Sequence, residues 1–151
     1  LHIFGTVKDG VNYKVRKGAY AVIFDEGFAG KIALIRAHEN QYFLPGGGVE
    51  SDETDEQCLR RELLEETGHL IDQIHYLDHA QRYFLSTLPV VQPMINDGYF
   101  YTARLGPKIQ APIETDNFLE WVDVRQCADL MFHEHQAWAV QKALDQLQNR
   151  P

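Results

Sequence analysis

The sequence is sparing in several respects at once. It has two cysteines, Cys58 and Cys127, in no CxxC pair. Thiols so few and so far apart exclude a disulfide-stapled fold and a cysteine-built zinc site, and leave reduced thiols as the default reading. No apolar run approaches the roughly 18 residues that a membrane span requires. The opening stretch LHIFGTVKDG holds no apolar segment of the signal-peptide kind, so the expected compartment is the cytosol. Repeats, low-complexity tracts and linkers are absent too. Positive charge is scarce: 14 Lys and Arg stand against 22 Asp and Glu, a formal net charge of −8. A protein that held nucleic acid by neutralising its phosphates would show the opposite balance. A polyanionic small molecule would have to be met through a cation that the chain does not encode.

What is present suits one globular domain over residues 1–151, since 44% of the residues are hydrophobic. KGAYAVIFDE and GKIALIRA read as strands that pair across GFAG, and QYFLPGGG as a short strand closed by Pro45 and three glycines. IHYL, QRYFL and NFLEWVDV read as extended, and INDGYFYTARL as a turn followed by a strand. Ala137, Val140, Ala143, Leu144 and Leu147 recur at helical spacing near the C-terminus. Strands with two well-separated helices imply an α/β or α+β domain around a mixed sheet.

The second helix candidate poses a problem. Ser51 or Asp52 caps a helix expected over 52–67 and ended by Gly68 at the C′ position. Its last turns carry Glu62, Glu65 and Glu66. Like charges three and four apart repel by roughly 0.2–0.5 kcal/mol per pair, and the negative pole of a helix prefers cations. These positions span roughly 100° of arc, beside Leu59 and Leu63, so the carboxylates converge at the edge of the face that packs on the sheet. A solvated acidic helix surface is the plain explanation. Converging carboxylates next to a glycine-rich loop also suit Mg²⁺, a hard cation with oxygen ligands.

Gly47, Glu53, Arg61, Glu62, Glu65, Glu66 and Gly68 follow the pattern G-x5-E-x7-R-E-L-x-E-E-x-G. Chance would produce these seven identities on the order of 10⁻⁹ times per start position at average residue usage. The pattern, from Gly47 to His69, resembles the Nudix box of the Nudix hydrolases. One position departs: His69 stands where the family usually has an aliphatic residue, and a variation in packing is expected there. The resemblance implies an α/β/α sandwich around a central mixed sheet. It implies cleavage within the pyrophosphate of a nucleoside diphosphate linked to another group, with Mg²⁺ or Mn²⁺ as cofactor. The implied metal ligands are Glu62, Glu65, Glu66 and the Gly46 carbonyl. Glu53 and Arg61 would orient them, and Gly47 and Gly48 would let backbone approach the substrate. The general base would be Glu62 or an acid from outside the box.

For that outside acid the resemblance points to the loop APIETDNFLEW, with Glu114 first, Asp116 second, and Glu120 less able to reach. Arg36 would meet a phosphate or take part in a surface ion pair, and Glu50 could join the metal shell. Trp121, Trp138 and the aromatics Tyr83, Phe84, Tyr99, Phe100 and Tyr101 read as core, with base stacking as the alternative for the last five. His133 and His135 read as a helix start, and Cys58 as packing. A small nucleoside triphosphate, an oxidised one included, fits a chain this short. ADP-ribose, nucleotide sugars, dinucleoside polyphosphates and a non-catalytic nucleotide sensor remain open, as does a homodimer.

Overall fold

A computed structural model of the protein describes residues 1–26 and 28–149. Gly27, in the expected GFAG turn, lies outside the described residues. The elements run β1 (His2–Phe4), β2 (Lys14–Asp25), β3 (Phe28–Arg36), β4 (Tyr42–Phe43), β5 (Gly46–Gly48), α1 (Asp55–Thr67), β6 (His69–Ser86), β7 (Gln92–Lys108), β8 (Phe118–Asp123), α2 (Cys127–Leu130) and α3 (Glu134–Gln148). Among the described residues the sheet has the order β1-β6-β7-β2-β3-β4, with β5 added to β2 and β8 to β3. β1 with β6 and β2 with β7 are parallel, and the remaining pairs are antiparallel, so the sheet is mixed.

The alternation along β2 builds both layers. Tyr20 and Val22 face one way, into a core shared with Leu34, Phe100 and the α3 residues Ala139, Val140 and Ala143. Ala19, Ala21 and Ile23 face the other way, against Leu59 and Leu63 of α1. Small residues on that second face let α1 lie close to the strands, and burying Leu63 fully contributes about 2 kcal/mol. The result is the α/β/α sandwich expected from the sequence.

Three local expectations fail. First, α1 starts at Asp55, not near residue 52, and its cap is Thr54, not Ser51 or Asp52. Asp52 sits at φ 67°, a left-handed conformation that no helix can include, and the Glu53 N–H closes a turn onto the Glu50 carbonyl at 3.1 Å. Thr54 and Gln57 then form a reciprocal capping box. Second, the Asn96–Gly98 segment is not a turn but the middle of β7. Gly98 pairs with both Gly18 and Ala80, and a Cβ there would come within 2.9 Å of the Phe100 ring. Packing between two strands overrides the turn chemistry of these residues, and the hairpin instead closes at 87–91. Third, Trp121 is exposed, pointing away from the core from β8. Trp138 is partly buried and stacks on His2 at 4.9 Å between centroids.

Candidate active site

The last turns of α1 deliver the acids, and Gly68 stops the helix where they are needed. Gly68 adopts φ 76°, its N–H caps the Leu64 carbonyl, and a Cβ would lie 1.9 Å from the Gln110 carbonyl oxygen. That closeness lets the 109–117 loop run back along the helix end. Ile109 donates to the Gly68 carbonyl at 2.9 Å. Ile113 and Glu114 both donate their backbone N–H to the Glu65 carbonyl, at 2.9 and 3.2 Å. Glu114 is thereby delivered to the acids of the helix. One carboxylate oxygen each of Glu62, Glu65 and Glu114 lies within 4.8 Å of the others.

Glu66 stands slightly apart. It is buried, 7% exposed, and its Oε1 accepts from the Gly46 N–H at 3.0 Å. Burial pushes its carboxyl well above the usual range; the Gly46 bond opposes that, and the charges of Glu62, Glu114 and Glu65 add to it. Burial likewise raises Glu62, against the pull of Arg61.

Arg61 is the cation inside this group. Its Nε donates to Glu53 Oε2 at 2.6 Å and its Nη2 to Glu53 Oε1 at 2.9 Å, a two-pronged pair. The guanidinium holds Glu53 well below the carboxylate range, at about 2. Arg61 Nη1 also donates to Glu62 Oε1 at 2.9 Å and Glu65 Oε2 at 3.4 Å, and Nη2 to the Gly48 carbonyl at 3.1 Å. Of the five carboxylates gathered here, Glu53, Glu62 and Glu65 meet this one guanidinium, while Glu66 is held by the Gly46 N–H and Glu114 by Asn117, which leaves an excess of negative charge at the site.

The donor set fits a hard divalent cation: converging carboxylate oxygens with no soft ligand among them. Gly47 fits the same purpose. A Cβ at that position would fall 2.6 Å from the Glu62 carboxyl carbon. Only a residue without a side chain lets β5 pass this close to the acids. A cavity of about 180 Å³ opens beside Gly46, Gly47 and Glu66, with Tyr20, Asn117 and Gln136 also in its wall.

The other candidates fall out as follows. Arg36 is engaged by Glu120, Nε to Oε1 at 2.6 Å, and Tyr42 donates to the same carboxylate at 2.9 Å. It occupies the ion-pair alternative. Glu120 lies outside the acid group. Asp116 is exposed and outside it as well, and the exposed Glu50 carboxylate approaches Arg61 at 3.8 Å. His69 Nδ1–H donates to the Gly106 carbonyl at 2.8 Å, a packing role at the helix end. Cys58 is fully buried against α1's sheet, and burial pushes its thiol up to about 12. Phe100 is core; His79 stacks on Tyr99 at 4.0 Å between centroids on a neighbouring strand.

Sequence reasoning missed Asn117. Its side-chain amide donates to Glu114 Oε2. A signal was available: an amide three residues after an acid in a loop can hold that acid's side chain. Arg16, whose guanidinium rests against Gly48, was also missed.

A family model described as the NUDIX domain matches residues 14–143. A comparison with curated proteins found no match. Among solved structures, a NUDIX hydrolase from Nitrosomonas europaea superposes with a TM-score of 0.70 at 15% identity, covering 88% of this chain and 90% of its own. A MutT NUDIX hydrolase from Burkholderia pseudomallei gives 0.63 at 21% identity, covering 85% and 98%. The NUDIX domain of Shewanella oneidensis NrtR, in complex with ADP-ribose, gives 0.68 at 17%, covering 93% and 94%. At such identities these likenesses speak to the fold, while the family model spans the strands, the glycine-rich loop and the acidic helix together: the chain belongs to the Nudix family.

Proposed function

We propose that the protein is a Mg²⁺-dependent pyrophosphohydrolase, acting through residues 1–151 as one domain on a nucleoside diphosphate linked to a further group. The observation that carries this is the meeting of Glu62, Glu65 and Glu114 carboxylates within 4.8 Å of one another. In this reading Glu62, Glu65, the free oxygen of Glu66 and the Gly46 carbonyl hold the cation. When bound, Mg²⁺ or Mn²⁺ would neutralise the acids, bind phosphate oxygens and make a water more acidic.

The chain's own groups do the rest. Glu114 or Glu62 takes the proton of the attacking water as its oxygen bonds to phosphorus. The phosphorus–oxygen anhydride bond breaks, and its electron pair leaves with the departing phosphate. Arg61, fixed by Glu53, keeps Glu62 and Glu65 aimed at the same point. Gly47 and Gly48 let the backbone lie against the substrate. Phosphoryl transfer asks mainly for such positioning and charge compensation.

A small nucleoside triphosphate, oxidised forms included, is the first substrate reading. ADP-ribose is the second, supported by its complex with the NrtR domain. A sensor that binds without cutting has less to recommend it, since every box acid is retained. The deciding experiment follows phosphate and nucleotide release from triphosphates, oxidised triphosphates, ADP-ribose, nucleotide sugars and dinucleoside polyphosphates, with and without Mg²⁺. Metal-dependent cleavage of one class is expected. Folded protein that binds nucleotide and cleaves none of them would establish the sensor instead.

A further inference from the structure

β2 opens on Lys14, Val15, Arg16 and Lys17, and the two-residue period puts Lys14 and Arg16 on the same face as Tyr20. Lys17, on the opposite face, is paired with Asp55 at 3.1 Å. Arg16 is different. Arg36, Arg60, Arg61, Arg82, Arg104 and Arg125 each reach a carboxylate within 4.0 Å. Among the described residues Arg16 is the one arginine whose side chain has neither an ion pair nor a hydrogen bond. In a chain of formal charge −8, a guanidinium left unpaired within reach of an acidic site is unusual.

Its position is informative. The Arg16 guanidinium rests on Gly48, where a Cβ would come within 3.0 Å of Nε. It also lines two cavities. The smaller, about 180 Å³, reaches Gly46, Gly47 and Glu66. The larger, about 620 Å³, runs under the β6–β7 hairpin and is walled by Phe84, Leu88 and Met94, with Lys14 at its rim. Arg16 is therefore at the throat, with the acids on one side and an apolar chamber on the other.

We propose that Arg16 grips a substrate phosphate at this throat, and that the nucleoside end of the substrate occupies the chamber under the β6–β7 hairpin. This rests on the pyrophosphohydrolase reading above. A planar guanidinium presents five N–H donors in a fork that matches phosphate oxygens two at a time. No existing ion pair has to be broken for Arg16 to bind. Phe84 and Met94 offer the flat and adaptable surfaces on which a base packs. Lys14, two residues back on the same face, continues the positive edge along the chamber.

The test uses the full chain and its Arg16→Gln, Arg16→Lys and Phe84→Ala variants, checked for fold by circular dichroism. Calorimetry with ADP and with inorganic pyrophosphate, in chelator, reads binding apart from turnover. KM and kcat are measured on whichever substrate the wild type cleaves. Arg16→Gln should weaken both probes and raise KM by about tenfold or more, with kcat changed much less, and Arg16→Lys should fall between. Phe84→Ala should weaken ADP but not inorganic pyrophosphate. Unchanged affinity and KM in Arg16→Gln, beside an active wild type, would overturn the phosphate role and leave the hydrolase reading standing. Equal loss of both probes in Phe84→Ala would overturn the placement of the nucleoside. A wild type that neither binds nor cleaves would remove the hydrolase reading itself.

Discussion

Glu66 Oε1 accepts the Gly46 N–H at 3.0 Å, and that bond ties the acidic helix to the first residue of the glycine-rich strand. Only one oxygen of the carboxylate is used by it. Glu66→Gln keeps the shape and can still accept from Gly46 through its amide oxygen, but it loses the negative charge. Turnover should drop by about 10²-fold or more while the fold persists, because charge compensation at the phosphates carries most of such a reaction. Steady-state kinetics and a Mg²⁺ thermal shift check this together. Activity near wild type would take Glu66 out of the metal shell.

Gly47 gives a second test of the same centre. Adding one methyl group in Gly47→Ala places a carbon 2.6 Å from the Glu62 carboxyl carbon. Either the strand or the carboxylate must move. The expected result is weaker Mn²⁺ binding, read by electron paramagnetic resonance of the free ion, at a melting temperature close to wild type. Unaltered Mn²⁺ affinity would mean that Glu62 is free to swing away at no loss.

Glu114 and its neighbour Asn117 separate chemistry from positioning. Glu114→Gln removes a base, so the acid limb of the pH–kcat profile should disappear or move. Asn117→Leu leaves the carboxyl but removes the amide that donates to it. It should lower kcat while preserving the limb, and Asn117→Gln should restore part of the loss. Identical profiles for all of these proteins would assign the base role to Glu62.

Two buried imidazoles contribute to the behaviour in acid. His133 and His135 are both pushed down to about 3, chiefly by burial, with Arg82 nearby adding to it. His133 Nδ1 accepts from Arg82 Nη1 at 2.9 Å, and both ring nitrogens of His135 are buried without a partner among the described residues. The unfolded chain takes up protons near pH 6.5, whereas the folded one resists until near pH 3. Between those limits the unfolded state binds more protons, so stability falls as pH falls, by at most about 1.4 kcal/mol per pH unit for each ring. Above the window the stability is fully present. Melting temperatures from pH 7.5 down to 4 should therefore decline less steeply in His135→Leu than in wild type. Equal slopes would show that another group governs acid unfolding.

The sequence displayed the acidic helix well because helix geometry is local. Residues 62, 65 and 66 converge wherever the helix is placed, and Gly68 marks its end by its own conformational freedom. The helix start was less legible, since Ser51 and Asp52 are by residue type better caps than Thr54. The choice fell to Gln57, which completes the box with Thr54, and to the turn that Asp52 enters. Arg36 illustrates what depends on distant chain. Its reach toward Glu120 is set by the β3–β8 register, which aligns Leu34 with Glu120 and Arg36 with Phe118. Nothing local announces that partner. Arg16 was overlooked for the converse reason: its freedom is visible only once every other described arginine has found an acid. Glu114 was reachable as a candidate through family resemblance, but the backbone bonds that deliver it join residues far apart in sequence.

The carbonyl of Glu65 accepts two loop N–H groups, from Ile113 and from Glu114. A residue that contributes a carboxylate to the site therefore also moors, through its main chain, the segment bringing another. Tilting or sliding the last helical turn would carry Glu65 and Glu114 as one body, leaving the spacing between them unchanged. The loop's stretch at 110–112, exposed at Gln110 and Ala111, lies between this mooring and the one at Gly68, and could lengthen or shorten as a slack line does between two fixed cleats. Divergence among relatives can then reshape that outer bend without detuning the acids it connects.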